Sequence, residues 1–147
     1  MSTLLLIHGP NLNALGKREA SQYGQKTLSD IEALVTSVAL KLGYDVRAFQ
    51  SNHEGDLIDF LQAESSAAVG IIINPGALTH YSYALHDALL HTKLPSIEVH
   101  LSDITSREPW RRISVVAPAC VGQVSGKKEP GYVDAVQLLH KYLSKKV

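Results

Sequence analysis

Cysteine is nearly absent from this chain. Cys120 stands alone, which excludes an internal disulfide and a cysteine-rich metal site and favours a reducing compartment. Net charge is absent too: fourteen Lys+Arg balance fourteen Asp+Glu. The electropositive footprint of a nucleic-acid binder is therefore missing, and any basic residue that matters acts locally. No apolar run approaches the roughly 20 residues of a membrane span, and MSTLLLIHGPN has no charged leader before its apolar stretch. Cytoplasm is the expected location. The seven histidines form no HExxH pattern, and His86 and His91 are five apart, off a common helical face, so no metal is expected. Phosphate-binding signatures are missing as well. The pattern GxxxxGK[ST] would need glycine at 11 and a hydroxyl at 18, where the chain has Asn11 and Arg18, and no G-x-G-x-x-G follows a strand.

What is present is an alternation of short apolar runs and amphipathic stretches. The 147 residues, 45% of them hydrophobic, suit one domain over residues 1–147 with a single sizeable core. Strands are expected at TLLLIH (3 to 8), YDVRAFQS (44 to 51), VGIIIN (69 to 74), SIEVH (96 to 100) and ISVVA (113 to 117). Ile31, Leu34, Val35, Val38 and Leu42 form a helical stripe, with Thr27 and Ser29 as candidate caps and Gly43 as its stop. Leu78, Tyr81, Leu85, Ala88 and Leu89 form a second stripe, weaker helical patterns lie near 56 to 66 and 131 to 144, and one turn is expected near 107 to 111. Such alternation predicts a flavodoxin-like, doubly wound α/β fold. Its parallel sheet of five strands is expected in the order 2-1-3-4-5, with helices on both faces.

In open α/β sheets ligands bind beyond the carboxyl ends of the strands. Asn11, Asn13, Arg18 and Tyr23 follow the first expected strand; Asn52, His53 and Glu54 the second; Asn74 and His80 the third; His100 and Ser102 end the fourth. Each alone has an ordinary structural meaning. Their convergence on one edge is what points to a site. Glu98 and His100, two apart on a strand, share a face, and a carboxylate beside an imidazole fixes its tautomer for general acid work. Arg107 and Arg111, four apart, would aim two guanidinium forks at a carboxylate or phosphate if their segment is helical. In HGPNLNALGKREASQYG (8 to 24), Gly9, Gly16 and Gly24 are available as pivots. Arg18 there offers a cation to a Tyr23 phenolate, which would otherwise be a poor base at neutral pH.

Four motifs go further. HGPNLNALGKRE..QYG.KTL.DIE, FQSNHEGDLIDF, IIINPGALTHYSYALHDAL and IEVHLSDITSREPWR resemble type II 3-dehydroquinate dehydratases, in order and in register, densely over residues 3 to about 117. The resemblance implies a cofactor-free, metal-free lyase converting 3-dehydroquinate to 3-dehydroshikimate through an enolate, in aromatic biosynthesis or in quinate breakdown. It implies Tyr23 as base, Arg18 as its tuning cation, His100 as acid with Glu98 as partner, and Asn11 at the enolate. Substrate contacts would fall to Asn74, His80, Leu101, Ser102 and Arg111. Asp87 would reach a neighbouring subunit's site within a dodecamer built of trimers. The chain departs from the family pattern at Tyr81, Tyr83, His86 and Asp103, where Thr, Val, Arg and Asn are usual. The competing reading is a noncatalytic flavodoxin-like module binding a small carboxylate or phosphate, which would need the arginines but not Tyr23.

Overall fold

A computed structural model describes residues 1–145. Five parallel strands, β1 (Ser2–His8), β2 (Tyr44–Gln50), β3 (Gly70–Asn74), β4 (Ser96–His100) and β5 (Gly122–Ser125), form one sheet in the order β2-β1-β3-β4-β5. The expected order holds. Alternate residues of the central strands feed two cores. Leu4, Leu6, Ile72, Ile97 and Val99 meet helices α2 (Leu28–Lys41) and α5 (Pro130–Ser144) on one face. Leu5, Ile7, Ile71 and Ile73 meet α3 (Glu54–Glu64) and α4 (Tyr83–Thr92) on the other. Burial on both faces explains why the β1 and β3 sequences are continuously apolar rather than alternating.

Local chemistry sets the helix limits. Thr27 and Asp30 form a reciprocal capping box at the start of α2, so Thr27 is the cap and Ser29 is not. Gly43, at φ 92°, closes the turn after it. The stripe drawn through Leu78 and Tyr81 breaks in the structure. Leu78 lies in a 3-10 turn, Gly76–His80, Tyr81 is exposed, and α4 begins only after Ser82, whose Oγ accepts from Leu85 N.

The fifth strand is not where the sequence pattern puts it. Residues 113–117 form no strand, and β5 lies at Gly122–Ser125. Val115 N donates to Thr79 O and the Ser114 hydroxyl to Glu98, so this apolar stretch is tied to the turn after β3 and to β4's side chains instead of a ladder. The crossover from β4 to β5 carries only single turns, as expected near 107 to 111. It contains three 3-10 turns, Ile104–Ser106, Pro109–Arg111 and Ala117–Ala119, and the first two hold Arg107 and Arg111 over the strand ends.

Candidate active site

The site is built at the carboxyl edge of β1, β3 and β4. The loops after β1 and β3 interlock through Gly9-Pro10 and Pro75-Gly76. Gly9 N donates to Asn74 O at 2.8 Å, and a Cβ on Gly9 would lie 2.2 Å from the Pro75 carbonyl oxygen. Reciprocally, Gly76, at φ +64°, abuts the Pro10 carbonyl, which a Cβ would approach to 2.8 Å. Only glycine allows this double approach, and it sets Asn11 and Asn74 on opposite sides of one contact. Gly9 is thus a packing point rather than a lid pivot. Asn11 itself adopts φ 71°, ψ −1°, with its backbone N–H donating to Asn52 Oδ1 at 2.9 Å, a conformation asparagine tolerates better than most residues.

The segment between Gly16 (φ 93°) and Gly24 (φ 80°) carries Arg18 and the short helix α1 (Ala20–Tyr23). It folds over the cleft so that the Arg18 guanidinium carbon stands 3.7 Å from the Tyr23 ring centre. A second cation, Arg107, is 5.1 Å from the same ring and donates to Ser102 Oγ at 3.2 Å. Two guanidinium groups thus stand within cation–π distance of one phenol ring. The paired fork expected of Arg107 and Arg111 does not form. Both line the cleft, but Arg111 stacks 4.0 Å over Trp110 and its Nε donates to Glu108 Oε2 at 3.1 Å.

Glu98 and His100 face the same way, as their spacing predicts. His100 Nε2 lies 2.8 Å from Glu98 Oε2 with both residues buried, which commits Nε2 to the carboxylate and leaves Nδ1 as the other ring nitrogen. Burial pushes the Glu98 carboxyl upward. The His100 bond and charge, with donors from Gln123 and Ser114, outweigh it and hold the group below the usual carboxylate value. His80 Nδ1 donates to Ile113 O at 2.7 Å, leaving Nε2 as its other ring nitrogen. Burial, seconded by the charges of His100 and Arg111 and opposed by the Ile113 bond, holds His80 below the ordinary histidine value and favours its neutral form.

Asn11, Arg18, Tyr23, Asn74, His80, His100, Leu101, Ser102 and Arg111 share one cavity of about 100 Å³. That is well under the ~300–1,000 Å³ of drug-sized sites and fits a compact polar molecule. Glu98 supports it from behind through His100. Asp87 does not join it: this residue is exposed on α4, outside its own chain's cleft. Asn13, Asn52, His53 and Glu54 also stay outside; Asn52 buttresses Asn11, and Glu54 accepts from Ser82. No group of three or more His, Cys, Asp or Glu among the described residues could hold a metal ion. A larger open groove of about 680 Å³ lies along β5 and α5, away from these acid and base groups.

Three contributors were not assigned to the site from the sequence. The buried Tyr132 hydroxyl accepts from Asn74 Nδ2 at 3.4 Å, while Asn74 Oδ1 accepts from Gly76 N; together these fix which way the amide points. Ser114 and Gln123 both donate to Glu98. The departures have local roles: His86 Nδ1 donates to Val115 O at 2.8 Å, Asp103 accepts from Thr105 N, and Tyr81 and Tyr83 are exposed.

A flavodoxin-like sheet whose strand ends gather a tyrosine beside two guanidinium groups and a histidine bonded to a carboxylate holds the groups that an enzyme of general acid and base chemistry requires. The family profile of class II dehydroquinases matches residues 2–140, and the chain belongs to that family. It is 55% identical over 136 residues to a 3-dehydroquinate dehydratase of Roseiflexus castenholzii, covering 92% of this chain and 87% of the relative. It is 48% identical over 145 residues to one from Halothermothrix orenii, covering 99% and 98%. The crystal structure of a type II dehydroquinase from Butyrivibrio crossotus superposes with a TM-score of 0.90 at 42% identity, covering 94% of this chain and 97% of the other.

Proposed function

We propose that this cleft carries out the family's reaction, the dehydration of 3-dehydroquinate to 3-dehydroshikimate, with Tyr23 as base and His100 as acid. The Tyr23 phenolate takes a proton from the carbon beside the ketone, and the electron pair of that C–H bond moves into an enolate. Asn11, held in its left-handed conformation at the cleft, donates to the enolate oxygen. As the enolate collapses to the conjugated enone, the C–O bond on the neighbouring carbon breaks. His100 gives its proton to the departing hydroxyl, which leaves as water. Glu98 stabilises the cationic imidazole before that transfer and fixes its orientation. Arg18 and Arg107 stabilise the phenolate, Asn74, His80, Ser102, Leu101 and Arg111 hold the substrate, and the loop between Gly16 and Gly24 keeps bulk water out.

The observation that carries this reading is the placement of Tyr23, with Arg18 at 3.7 Å from its ring, in the same cavity as a His100 already bonded to Glu98. A binding module would have no use for either pair. The test is the ultraviolet absorbance of the conjugated enone, followed with purified protein, 3-dehydroquinate and a chelator present. Wild type should turn over. Tyr23→Phe and His100→Ala should each lose turnover by about 10²-fold or more while still binding substrate; full activity in either variant removes that residue from its role.

The assembly expected from the family resemblance, trimers within a dodecamer, is also part of this proposal. Asp87 sits outside its own cleft on the α4 face where Tyr83 and Leu90 are 68% and 54% exposed, a position suited to a neighbour's site. Mixing Asp87→Ala chains with Tyr23→Phe chains should then restore activity that neither has alone. No gain on mixing would keep the site within one chain.

A further inference from the structure

The Glu98 carboxylate is fully buried on the fourth strand of a five-stranded sheet and receives more than the histidine it serves. His100 Nε2 occupies one side of Oε2, and Ser114 Oγ donates across both oxygens at 2.9 and 3.1 Å. The remaining donor comes from the neighbouring strand. Parallel pairing sets Gln123 opposite Glu98, and Gln123 Nε2 reaches Oε2 at 2.5 Å. Much of the glutamine is exposed on the edge strand, yet its amide crosses to a carboxylate that water does not reach.

We infer that Gln123 is a positioning residue for the acid: its amide keeps the Glu98 carboxylate ionised and aimed at His100 Nε2, so that the imidazole is held oriented for proton transfer. The inference rests on the roles proposed for Glu98 and His100. A buried carboxylate needs its acceptor sites filled to stay charged. Of the donors present, only Gln123 is neutral, unable to titrate and supplied from outside the loop that also shapes the cleft. Ser114 depends on that loop, which is pinned by His80 to Ile113 O, by His86 to Val115 O and by Val115 N to Thr79 O. The titratable groups facing Glu98 are His100 on its own strand, His80 on the turn after β3 and Cys120 before β5. Burial pushes the Cys120 thiol up to about 12, so it stays neutral throughout the range in which the acid works.

Gln123→Met keeps length and removes the donor; Gln123→Glu keeps shape and sets a second carboxyl against Glu98. Because the residue is exposed, both should fold and melt near wild type. A hydrogen bond to an ionised carboxylate corresponds to about one pH unit. The acid limb of kcat should therefore move up by about one unit in Gln123→Met and further in Gln123→Glu, where two carboxyls share a proton. KM at the pH optimum should stay within about twofold of wild type, and the Glu98 carboxyl, followed by its 13C shift in the folded protein, should titrate higher by the same interval. Unmoved acid limbs and an unmoved Glu98 titration in both variants overturn the inference. So does a fall in kcat at every pH without a shift, which marks a packing role. If His100→Ala keeps its turnover, the acid assignment falls instead, and the 13C titration still decides whether Gln123 governs Glu98.

Discussion

Gly9→Ala tests the interlock that holds the two sides of the cleft. The added methyl would stand 2.2 Å from the Pro75 oxygen, 2.4 Å from its carbonyl carbon and 3.0 Å from its Cα. All three are backbone atoms, so no side chain can rotate away and the turns must part. Overpacking of this kind costs about 1–3 kcal/mol. Parting the turns also weakens the 2.8 Å bond from Gly9 N to Asn74 O, worth about 1 kcal/mol. The sum, about 2–4 kcal/mol, lowers Tm by roughly 10 °C in a chain of this size. Asn11 and Asn74 move with the turns, so kcat/KM should fall by at least about tenfold under conditions where the variant is folded. Gly55→Ala is the control. A Cβ there meets nothing within 4 Å, and alanine in the first turn of α3 should raise Tm slightly, by up to about 1 kcal/mol of stability. Differential scanning calorimetry with the enone assay reads both. A Gly9→Ala protein melting within about 3 °C of wild type with normal kcat/KM would refute the interlock as the device that sets the asparagines.

Tyr132→Phe removes only the hydroxyl that orients Asn74. KM should rise about fivefold, the equivalent of one neutral hydrogen bond, with Tm and kcat little changed. The effect should vanish in an Asn74→Ala background; additive losses would separate the two residues. Stability should be highest between about pH 7 and 9. Glu98 sits below its ordinary value in the folded state, so its contribution is complete above about pH 4.5 and is lost as pH falls through its folded value. His80 is also lowered, so the unfolded chain takes up its proton first and stability begins to decline below about pH 6.5. At the other end, Cys120 and Tyr132, both raised to about 12, favour unfolding once pH passes their ordinary values near 9 and 10. A Tm that rises from pH 7 to 5, or from 9 to 11, contradicts these signs.

The sheet order and the helices were legible because burial on both faces leaves a strong pattern. IIIN and LLLIH are unmistakable as central strands, and Thr27 with the stripe behind it marks α2. The fifth strand was not legible, for a reason particular to its sequence. Gly122, Gln123, Val124 and Ser125 have one fully apolar side chain among them, since the strand is at the sheet edge and half of it serves polar neighbours. ISVVA outscored it on β-branched content, yet its residues work elsewhere: Val116 is buried, Ser114 bonds Glu98, and Ile113 lies 65% exposed beside His80. Propensity reads what a residue would do on a pleated surface; here tertiary hydrogen bonds decided.

The same misplacement explains which part of the site stayed hidden. Glu98 and His100 could be paired from a spacing of two on one strand, and Arg18 with Tyr23 from nearness in one loop. Gln123 could not be reached that way. Its relation to Glu98 exists only through the lateral register of β5 against β4, which no period along the chain encodes. Tyr132 is likewise brought to Asn74 by the docking of α5 beneath β3, across 58 residues of sequence. The residues proposed to act on the substrate lie at strand ends and in the loops that follow them, on the edge that topology predicts. Residues that orient them come from packing between elements, so the supporting shell of this cleft becomes readable only once strand register and helix docking are known. Mutations there should therefore change pH profiles and KM before they abolish turnover.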